Sequence, residues 1–252
     1  MKALRALIIF VGLVVVWQII VTLTEVPFYI LPGPWLVVKA LVARSDVLFD
    51  HSWVTLSEII LGLLLGTVLG SMSALTLGYF RPARLWLMPI LVVSQAIPVF
   101  ALAPILVLWL GYGMVSKVAM ATLIIYFPVT AAFFDGLRRT EPGHLDLAHS
   151  MNASRWTTLR YIRIPAALPS FASGLRVATA VAPIGAIVGE WVGSSEGLGF
   201  LMLHANGRMQ IDVMFAALFI LAVMAVTLYY AVDAGLKRLL FWSPESQPAF
   251  PR

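Results

Sequence analysis

An all-α fold embedded in a membrane is predicted by three features of this sequence. Of its 252 residues, 61% are hydrophobic and 12% are charged, whereas soluble domains have roughly a quarter of their residues charged. The apolar residues form runs of about 18 or more with almost no charge, which is the length that a helix needs to cross a bilayer. The short alternating segments typical of transmembrane barrels do not occur in the sequence. We therefore expect residues 1–252 to form a single transmembrane domain.

Six apolar runs are long enough to be spans. The first follows Lys2 and Arg5 and exceeds the core of a signal peptide, which has about 7–15 residues, so we interpret it as a retained helix. Residues 34–48 are also apolar, but Lys39 and Arg44 argue against a full span and leave an outer interfacial helix as the alternative. The predicted spans are residues 6–24, 57–80, 85–110, 116–137, 170–192 and 213–236.

The basic residues predict the orientation of the chain, because loops rich in lysine and arginine usually stay in the cytoplasm. With the N-terminus inside, twelve of the 17 basic residues fall on the cytoplasmic side, four fall outside, and Arg176 lies within the fifth span. Both termini are therefore expected in the cytoplasm of a multi-pass protein of the cell (inner) membrane. The basic residues lie between apolar spans rather than on one soluble face, so their positions reflect the orientation of the chain in membrane lipid. Nucleic acid is therefore not expected as a partner.

Small residues recur at every fourth position of the second predicted span and leave one side of that helix nearly bare. Another helix can approach this side closely, within the chain or at a subunit interface, and internal packing is the simpler interpretation. The third predicted span contains Pro89, Pro98 and Pro104, each of which removes a backbone donor, so we expect a kinked helix that partly lines a cavity. The small residues are Gly62, Gly66, Gly70, Ala74 and Gly78.

A neutral polar pair, Ser94 and Gln95, lies one turn before Pro98 in the middle of the third predicted span. Such groups either line a polar path or bond to an adjacent helix, and the sequence does not separate these alternatives. Glu58 and Glu190 lie near the ends of predicted spans, so no carboxylate is expected at the centre of the bilayer. This placement argues against an ion-coupled carrier, which usually holds ionisable groups there.

Motifs of several enzyme and metal-binding classes are absent from the sequence. There is no G-x-x-x-x-G-K-[ST] phosphate loop, so any ATPase must be a separate chain. There is no cysteine, and the four histidines have no metal-ligand spacing. No Ser-His-Asp set or carboxylate pair stands out within an apolar span. We therefore expect no catalytic site, no metal site and no cofactor bound by this chain.

The loop over about residues 138–168 is too patterned for a simple linker. Pro142 suits a first helical turn, and apolar residues then recur at helical spacing. Asn152 tolerates the left-handed conformation that ends a helix, and Ser154 is suited to cap a second helix, which Pro165 should break. The result is a short helix-turn-helix on the cytoplasmic side, which suits docking of a partner protein or contact with anionic lipid.

The same loop resembles a motif of permease subunits in ABC-type importers: Glu-Ala-Ala, three residues, Gly, nine residues, Ile-x-Leu-Pro. This chain has the same spacing, with Asp for Glu, Leu for Ala, Asn for Gly and Ile for Leu. The bulkier Leu147 is the least conservative of these changes. The resemblance implies a coupling helix that docks on the ATPase subunit and favours docking over lipid contact. Its residues are Asp146, Leu147, Ala148, Asn152, Ile162 and Pro165.

The likeness covers nearly the whole chain and extends to the nitrate, sulfonate and taurine importer group. Ser94-Gln95, Trp109-Leu-Gly-Tyr-Gly113 and Gly189-Glu190-Trp191 most resemble the branch assigned to thiamine pyrimidine precursors. The resemblance implies a type I importer whose translocation pathway carries a small polar solute. A neutral pair in mid-membrane suits an uncharged heterocycle better than an anion, although Arg176 opposes that argument. The residues assigned to the pathway are Ser94, Gln95, Pro98 and Glu190.

The implied assembly contains a homodimer of permeases, two ATPase subunits that hold ATP and Mg, and an extracytoplasmic substrate-binding protein. Nitrate, sulfonate or taurine are alternative cargoes for the same class of importer. An ion-coupled secondary carrier that uses Glu58 or Glu190 is an alternative of another class, and a membrane scaffold or enzyme without transport is a third.

Overall fold

The computed structural model describes residues 2–243, without the side chains of residues 2, 3, 6, 7 and 95. Within this part, the chain forms α-helices joined by short turns and contains no β-strand, as the sequence predicts. The helices are α1 (Lys2–Thr24), α2 (Pro34–Ala43), α3 (Ser45–Tyr79), α4 (Arg81–Ala96), α5 (Val99–Leu110), α6 (Met114–Arg138), α7 (Pro142–Ser150), α8 (Arg155–Thr158), α9 (Ile164–Gly193), α10 (Leu198–Gly207) and α11 (Ile211–Leu239), with a π-helical turn at Leu159–Arg163.

Four helical segments of the described part are long and apolar enough to cross a membrane, namely α3, α6, the continuous segment Arg155–Gly193 and α11. The pair α4 and α5 adds a fifth span if the two helices cross together. These segments coincide with the second to sixth predicted spans. Helix α1 covers the first predicted span, residues 6–24, and its crossing of the membrane stays a prediction.

Residues 34–48 do not form one interfacial helix. Helix α2 ends at Ala43, and α3 begins at Ser45, well before the predicted start of the second span at residue 57. With 10 residues, α2 is only about 15 Å long and cannot cross a bilayer. Asp46 lies in the first turn of α3, where a negative charge is favoured by the helix dipole.

The third predicted span is broken rather than kinked, so the expectation of one helix over residues 85–110 is wrong. Helices α4 and α5 meet at an angle of 101°. Ile97 and Pro98 between them have extended backbone, with ψ of 120° and 123°, because a residue before proline is disfavoured in the helical conformation. Pro89 and Pro104, by contrast, lie inside α4 and α5 and do not end them.

Helix α6 forms the centre of the bundle, packed between α3 and α9 with almost no side-chain layer in between. A Cβ atom added to Gly62 of α3 would lie 2.5 Å from the Ala121 Cβ of α6, and one added to Gly185 of α9 would lie 2.6 Å from the Ala121 Cα. The other end of α6 is approached in the same way by Gly174, whose added Cβ would lie 2.7 Å from the Pro128 oxygen. The backbones of all three helices are therefore nearly in contact.

The small residues at every fourth position of α3 pack against α6 of the same chain. Internal packing, the simpler interpretation of the sequence, is therefore confirmed. Gly66 faces Ile125, Gly70 faces the Tyr126 carbonyl, and Gly78 faces Leu137, all on α6. Because lipid tails are as apolar as the side chains, helices in a membrane associate through such close van der Waals contact. The small residues of α3 are consequently covered by α6 of the same chain.

We predict that Gly185→Ala destabilises the protein, because the new methyl group has backbone within 2.6 Å. Overpacking of this kind lowers the free energy of unfolding by about 1–3 kcal/mol. Gly235→Ala is the matched control, since its Cβ meets nothing within 4 Å, and it should raise helix stability by about 0.5–1 kcal/mol. Denaturant titration of the detergent-solubilised chain measures both, and equal stability of the two variants would contradict the packing described.

Candidate functional site

The connector between α6 and α9 has the helix-turn-helix structure that its sequence predicts. Pro142 is in the first turn of α7, and Asn152 after that helix is left-handed, with φ of 54°. The Ser154 side chain then accepts a hydrogen bond of 3.1 Å from the Thr157 backbone nitrogen at the start of α8. Two short helices are thus presented at one end of the bundle.

The six residues assigned to coupling do not all face the same way. Asp146 and Asn152 are exposed, and Leu147 is exposed over 59% of its surface, whereas Ala148 is buried. Ile162 and Pro165 are half-buried at the junction with α9. The structure therefore offers Asp146 and Leu147 to a partner, while Ala148 positions α7 against the bundle.

Pro165 does not break the second helix, and this expectation is wrong. The helix runs without interruption from Arg155 to Gly193. Just before Pro165 it widens into a π-turn, in which the Ile164 nitrogen donates to the Leu159 oxygen. The wider turn accommodates the proline ring, which would clash with the preceding carbonyl in a regular α-helix. The connector is therefore joined directly to the longest helix of the bundle.

Arg163, in the same π-turn, binds the ends of the other two central helices. Its Nε and Nη2 atoms donate to the Leu137 oxygen at 3.1 and 2.9 Å, and its Nη1 atom donates to the Gly78 oxygen at 3.3 Å. Both acceptors are carbonyls in last helical turns, which lack helical partners and carry partial negative charge. Sequence reasoning treated Arg163 only as a cytoplasmic positive charge and missed this role.

The pathway candidates of the third predicted span lie at the bend between α4 and α5. Ser94 is exposed, and its hydroxyl donates to the Leu91 oxygen at 2.8 Å. Pro98 is also exposed and precedes the first residue of α5. The Gln95 side chain lies outside the part that the structure describes. Ser94 and Pro98 are thus both left uncovered at the bend by the part of the chain that the structure describes.

Glu190, the remaining pathway candidate, lies elsewhere and is only 1% exposed. One carboxylate oxygen contacts the Thr55 hydroxyl at 2.6 Å, and the other accepts hydrogen bonds from the backbone nitrogens of Gly199 and Phe200. A carboxylate at the start of α10 satisfies donors that have no helical partner, and it interacts favourably with the helix dipole. A role of Glu190 in lining the pathway stays a prediction.

Two side chains of α3 complete this cap on α10. The Leu198 nitrogen donates to Thr55 Oγ1 at 2.8 Å, and the Gly197 nitrogen donates to His51 Nδ1 at 2.8 Å. Gly197 has φ of 106°, and an added Cβ would collide with the Glu190 carboxylate, so only glycine fits this position. The first turn of α10 is consequently held by side chains from both α3 and α9.

A buried ion pair adjoins the cap. Lys117 Nζ of α6 lies 2.9 Å from Glu58 Oε1 of α3, and the exposed fractions of the two side chains are 7% and 0%. The Glu190 carboxyl lies close enough to interact electrostatically with that of Glu58. Sequence reasoning placed these residues at separate span ends and missed the cluster. The available signal was that all three fall near the predicted outer ends of their spans.

Arg176, the basic residue inside a predicted span, has a partner. Its Nε atom lies 2.7 Å from Asp233 Oδ1 of α11, and Lys237 Nζ lies 2.9 Å from the other oxygen of the same carboxylate. The guanidinium is therefore paired within the chain, between α9 and α11, with a carboxylate that it shares with Lys237. It does not provide an unpaired cation for an anionic solute.

Comparison with known proteins matches this architecture. The family model described as "Binding-protein-dependent transport system inner membrane component" matches residues 66–240. Among solved structures, the chain is similar to the MetNI methionine ABC transporter in an inward-facing conformation. That match has a TM-score of 0.68 and 19% identity, and it covers 78% of this chain and 98% of the other. At this identity the likeness supports the shared fold alone.

Three curated relatives match nearly end to end. A probable ABC transporter permease protein of Haemophilus influenzae is 56% identical, covering 96% of this chain and 98% of the relative. The formylaminopyrimidine transport permease protein ThiX of Halalkalibacterium halodurans is 38% identical, with 96% of each chain covered. The riboflavin transport system permease protein RibX of Chloroflexus aurantiacus is 39% identical, covering 90% and 85%. The chain therefore belongs to the family of inner membrane components of binding-protein-dependent transport systems.

Proposed function

We propose that this multi-pass inner-membrane chain acts as a homodimer that forms the translocation pathway of an importer for a small, uncharged nitrogen heterocycle. A separate ATPase subunit drives it, and a substrate-binding protein outside the membrane delivers the solute. The observation that carries the proposal is the connector, which exposes Asp146 and Leu147, continues directly into the longest helix, and is bound to the ends of α3 and α6 by Arg163. This chain binds no cofactor itself in the proposal, since ATP and Mg stay on the ATPase.

Force from the ATPase would reach the far end of the bundle through one helix. The segment Arg155–Gly193 has 39 residues and is therefore about 58 Å long. Its start belongs to the connector, and Glu190 near its end caps α10. A displacement of the connector by an ATPase would thus move α10 at the opposite side of the membrane, as alternating access requires.

The charges along the bundle favour an uncharged solute. Arg176 is paired with Asp233, which also pairs with Lys237, and Lys117 is paired with Glu58, so neither is an unpaired cation. The uncovered surface at the bend between α4 and α5 presents the neutral Ser94. Two relatives are named for formylaminopyrimidine and for riboflavin, both of which are nitrogen heterocycles. These observations support a pyrimidine precursor over nitrate, sulfonate or taurine.

The buried cluster is better suited to holding helices together than to ion coupling. Glu58 is paired with Lys117, and Glu190 is occupied by Thr55 and the start of α10. A coupling site has to exchange its ion with water on both sides of the membrane, whereas these two carboxylates are 0% and 1% exposed. We propose that the cluster closes the outer end of the central helices.

We predict that Asp146→Arg uncouples ATP hydrolysis from transport. Reversal of an exposed charge at a docking surface places like charges or an unpaired charge against the partner, so solute uptake should fall about tenfold or more while ATP hydrolysis persists. Proteoliposomes that contain permease, ATPase and binding protein measure both rates. Asp50→Arg, an exposed charge reversal on α3 at the opposite end, is the control. Normal uptake per ATP in the Asp146 variant would reject the coupling assignment.

We predict that uptake of a radiolabelled formylaminopyrimidine requires ATP and the binding protein, and that it continues after ionophores collapse the ion gradients. Isothermal titration of the binding protein with the pyrimidine, riboflavin, taurine, an alkanesulfonate and nitrate tests the solute separately. Uptake that persists without ATP and stops with the gradients would support the ion-coupled carrier instead. Tight binding of an anion alone would reject the proposed cargo but not the importer.

We predict that Lys117→Met destabilises the chain by about 3–5 kcal/mol, because Glu58 loses its buried counter-ion. The double variant with Glu58→Met should regain most of this stability, since no uncompensated charge is left. Denaturant titration in detergent measures the unfolding free energies of both variants. A double variant as unstable as Lys117→Met would show that the loss of stability does not come from leaving Glu58 without a counter-ion.

A further inference from the structure

A basic pocket lies between the connector and the turn that joins α3 to α4. It is concave, with a volume of about 530 Å³, which is on the scale of small-molecule sites. One wall comes from the end of α3 and the start of α4, and the other comes from α7, α8 and the π-turn. The polar residues that line it include Tyr79, Arg81, Arg84, His149, Arg155 and Arg163.

Four arginines face this pocket, and no acidic residue lines it. Among the described residues, none of the ion pairs within 4.0 Å involves Arg81, Arg84 or Arg155. Arg163 is held by backbone carbonyls, and the positive charge of Arg84 acts on it. Convergence of like charges without a carboxylate is unfavourable unless an anion neutralises them. The pocket thus has the charge of an anion site that the chain itself does not fill.

Exposed aromatic side chains lie close in sequence to the residues of the basic pocket, and two of them, Phe80 and Trp156, contact its Tyr79 ring. Phe80, Trp86 and Trp156 are exposed over 54%, 76% and 56% of their surfaces. Aromatic rings of this kind concentrate at the level of the lipid headgroups, where one side of the ring is apolar and the other is wet. The pocket adjoins the ends of α3 and α4, at the side of the bundle that the basic loops assign to the cytoplasm. Basic pockets at this level bind anionic headgroups.

We propose that this pocket binds the phosphate of an anionic phospholipid, with Arg84 and Arg155 as the principal donors. A guanidinium offers paired donors that match phosphate oxygens. Arg84 belongs to α4 and Arg155 to α8, so one phosphate would join the membrane-embedded part of the chain to the connector. The lipid is then a structural ligand of the connector in addition to any ATPase that docks on it.

The test compares the full-length permease with two variants by native mass spectrometry from a neutral detergent. The double variant Arg84→Gln with Arg155→Gln removes two pocket charges. Arg160→Gln is the matched control, because Arg160 is an exposed arginine of the same segment that stacks on Tyr161 at 5.5 Å and does not line the pocket. The added probes are dioleoyl phosphatidylglycerol, dioleoyl phosphatidylcholine and inorganic phosphate.

We expect one phosphatidylglycerol per chain, bound at least about tenfold more tightly than phosphatidylcholine. Both lipids carry a phosphate, but the choline of phosphatidylcholine adds a positive charge beside the four arginines of the pocket. The double variant should lose this preference, and Arg160→Gln should keep it. Equal loss in both variants, or unchanged binding in the double variant, would overturn the proposal. It would also be overturned if millimolar inorganic phosphate displaces the lipid. The proposal would be overturned as well if the double variant binds lipid normally but no longer associates with the ATPase when that subunit is added. The arginines would then form a docking site for protein rather than for lipid.

Discussion

The near-contact of three helix backbones is the constraint on which the rest of this structure depends. Helix α6 lies against glycines of α3 on one side and of α9 on the other, with no room for a methyl group at Gly62 or Gly185. In a membrane, where burial from water supplies no force between spans, this contact is the main source of cohesion. The connector and the buried cluster around Glu58 are both attached to these three helices.

Charged side chains hold the three helices together at both ends. At one end, Lys117 of α6 pairs with Glu58 of α3, next to Glu190 of α9. At the other end, Arg163 binds the terminal carbonyls of α3 and α6. Both arrangements satisfy groups that would otherwise be unpaired away from water, which is expensive in an apolar environment. In the middle of the bundle, close packing is joined by one neutral hydrogen bond of 2.8 Å between Tyr126 of α6 and Ser73 of α3.

Features set by local chemistry were predictable from the sequence. The lengths of the apolar runs predicted where the long helices lie. Pro142, Asn152 and Ser154 predicted the helix-turn-helix structure of the connector. The spacing from Asp146 to Pro165 carried the resemblance to ABC permeases, which the family match supports. Each of these signals lies within a few neighbouring residues, so no knowledge of tertiary contacts was needed.

Features that depend on contacts between distant residues were not predictable. The passage of a helix through Pro165 requires a π-turn that no residue pattern announces. Glu58, Lys117 and Glu190 are widely separated in the sequence, and only the packing of their helices brings them together. The full break at Pro98 is different, because the residue before a proline is disfavoured in the helical conformation, and the extended backbone of Ile97 follows from that local rule.

The cap on α10 has a consequence for how that helix can move. Four of its leading amide groups, from Gly197 to Phe200, are occupied by side chains of two different helices. A small tilt of α10 would lengthen all of these hydrogen bonds together while gaining no replacement from water. Intermediate positions are therefore disfavoured, and α10 is suited to abrupt switching between a latched and a released state rather than to gradual adjustment.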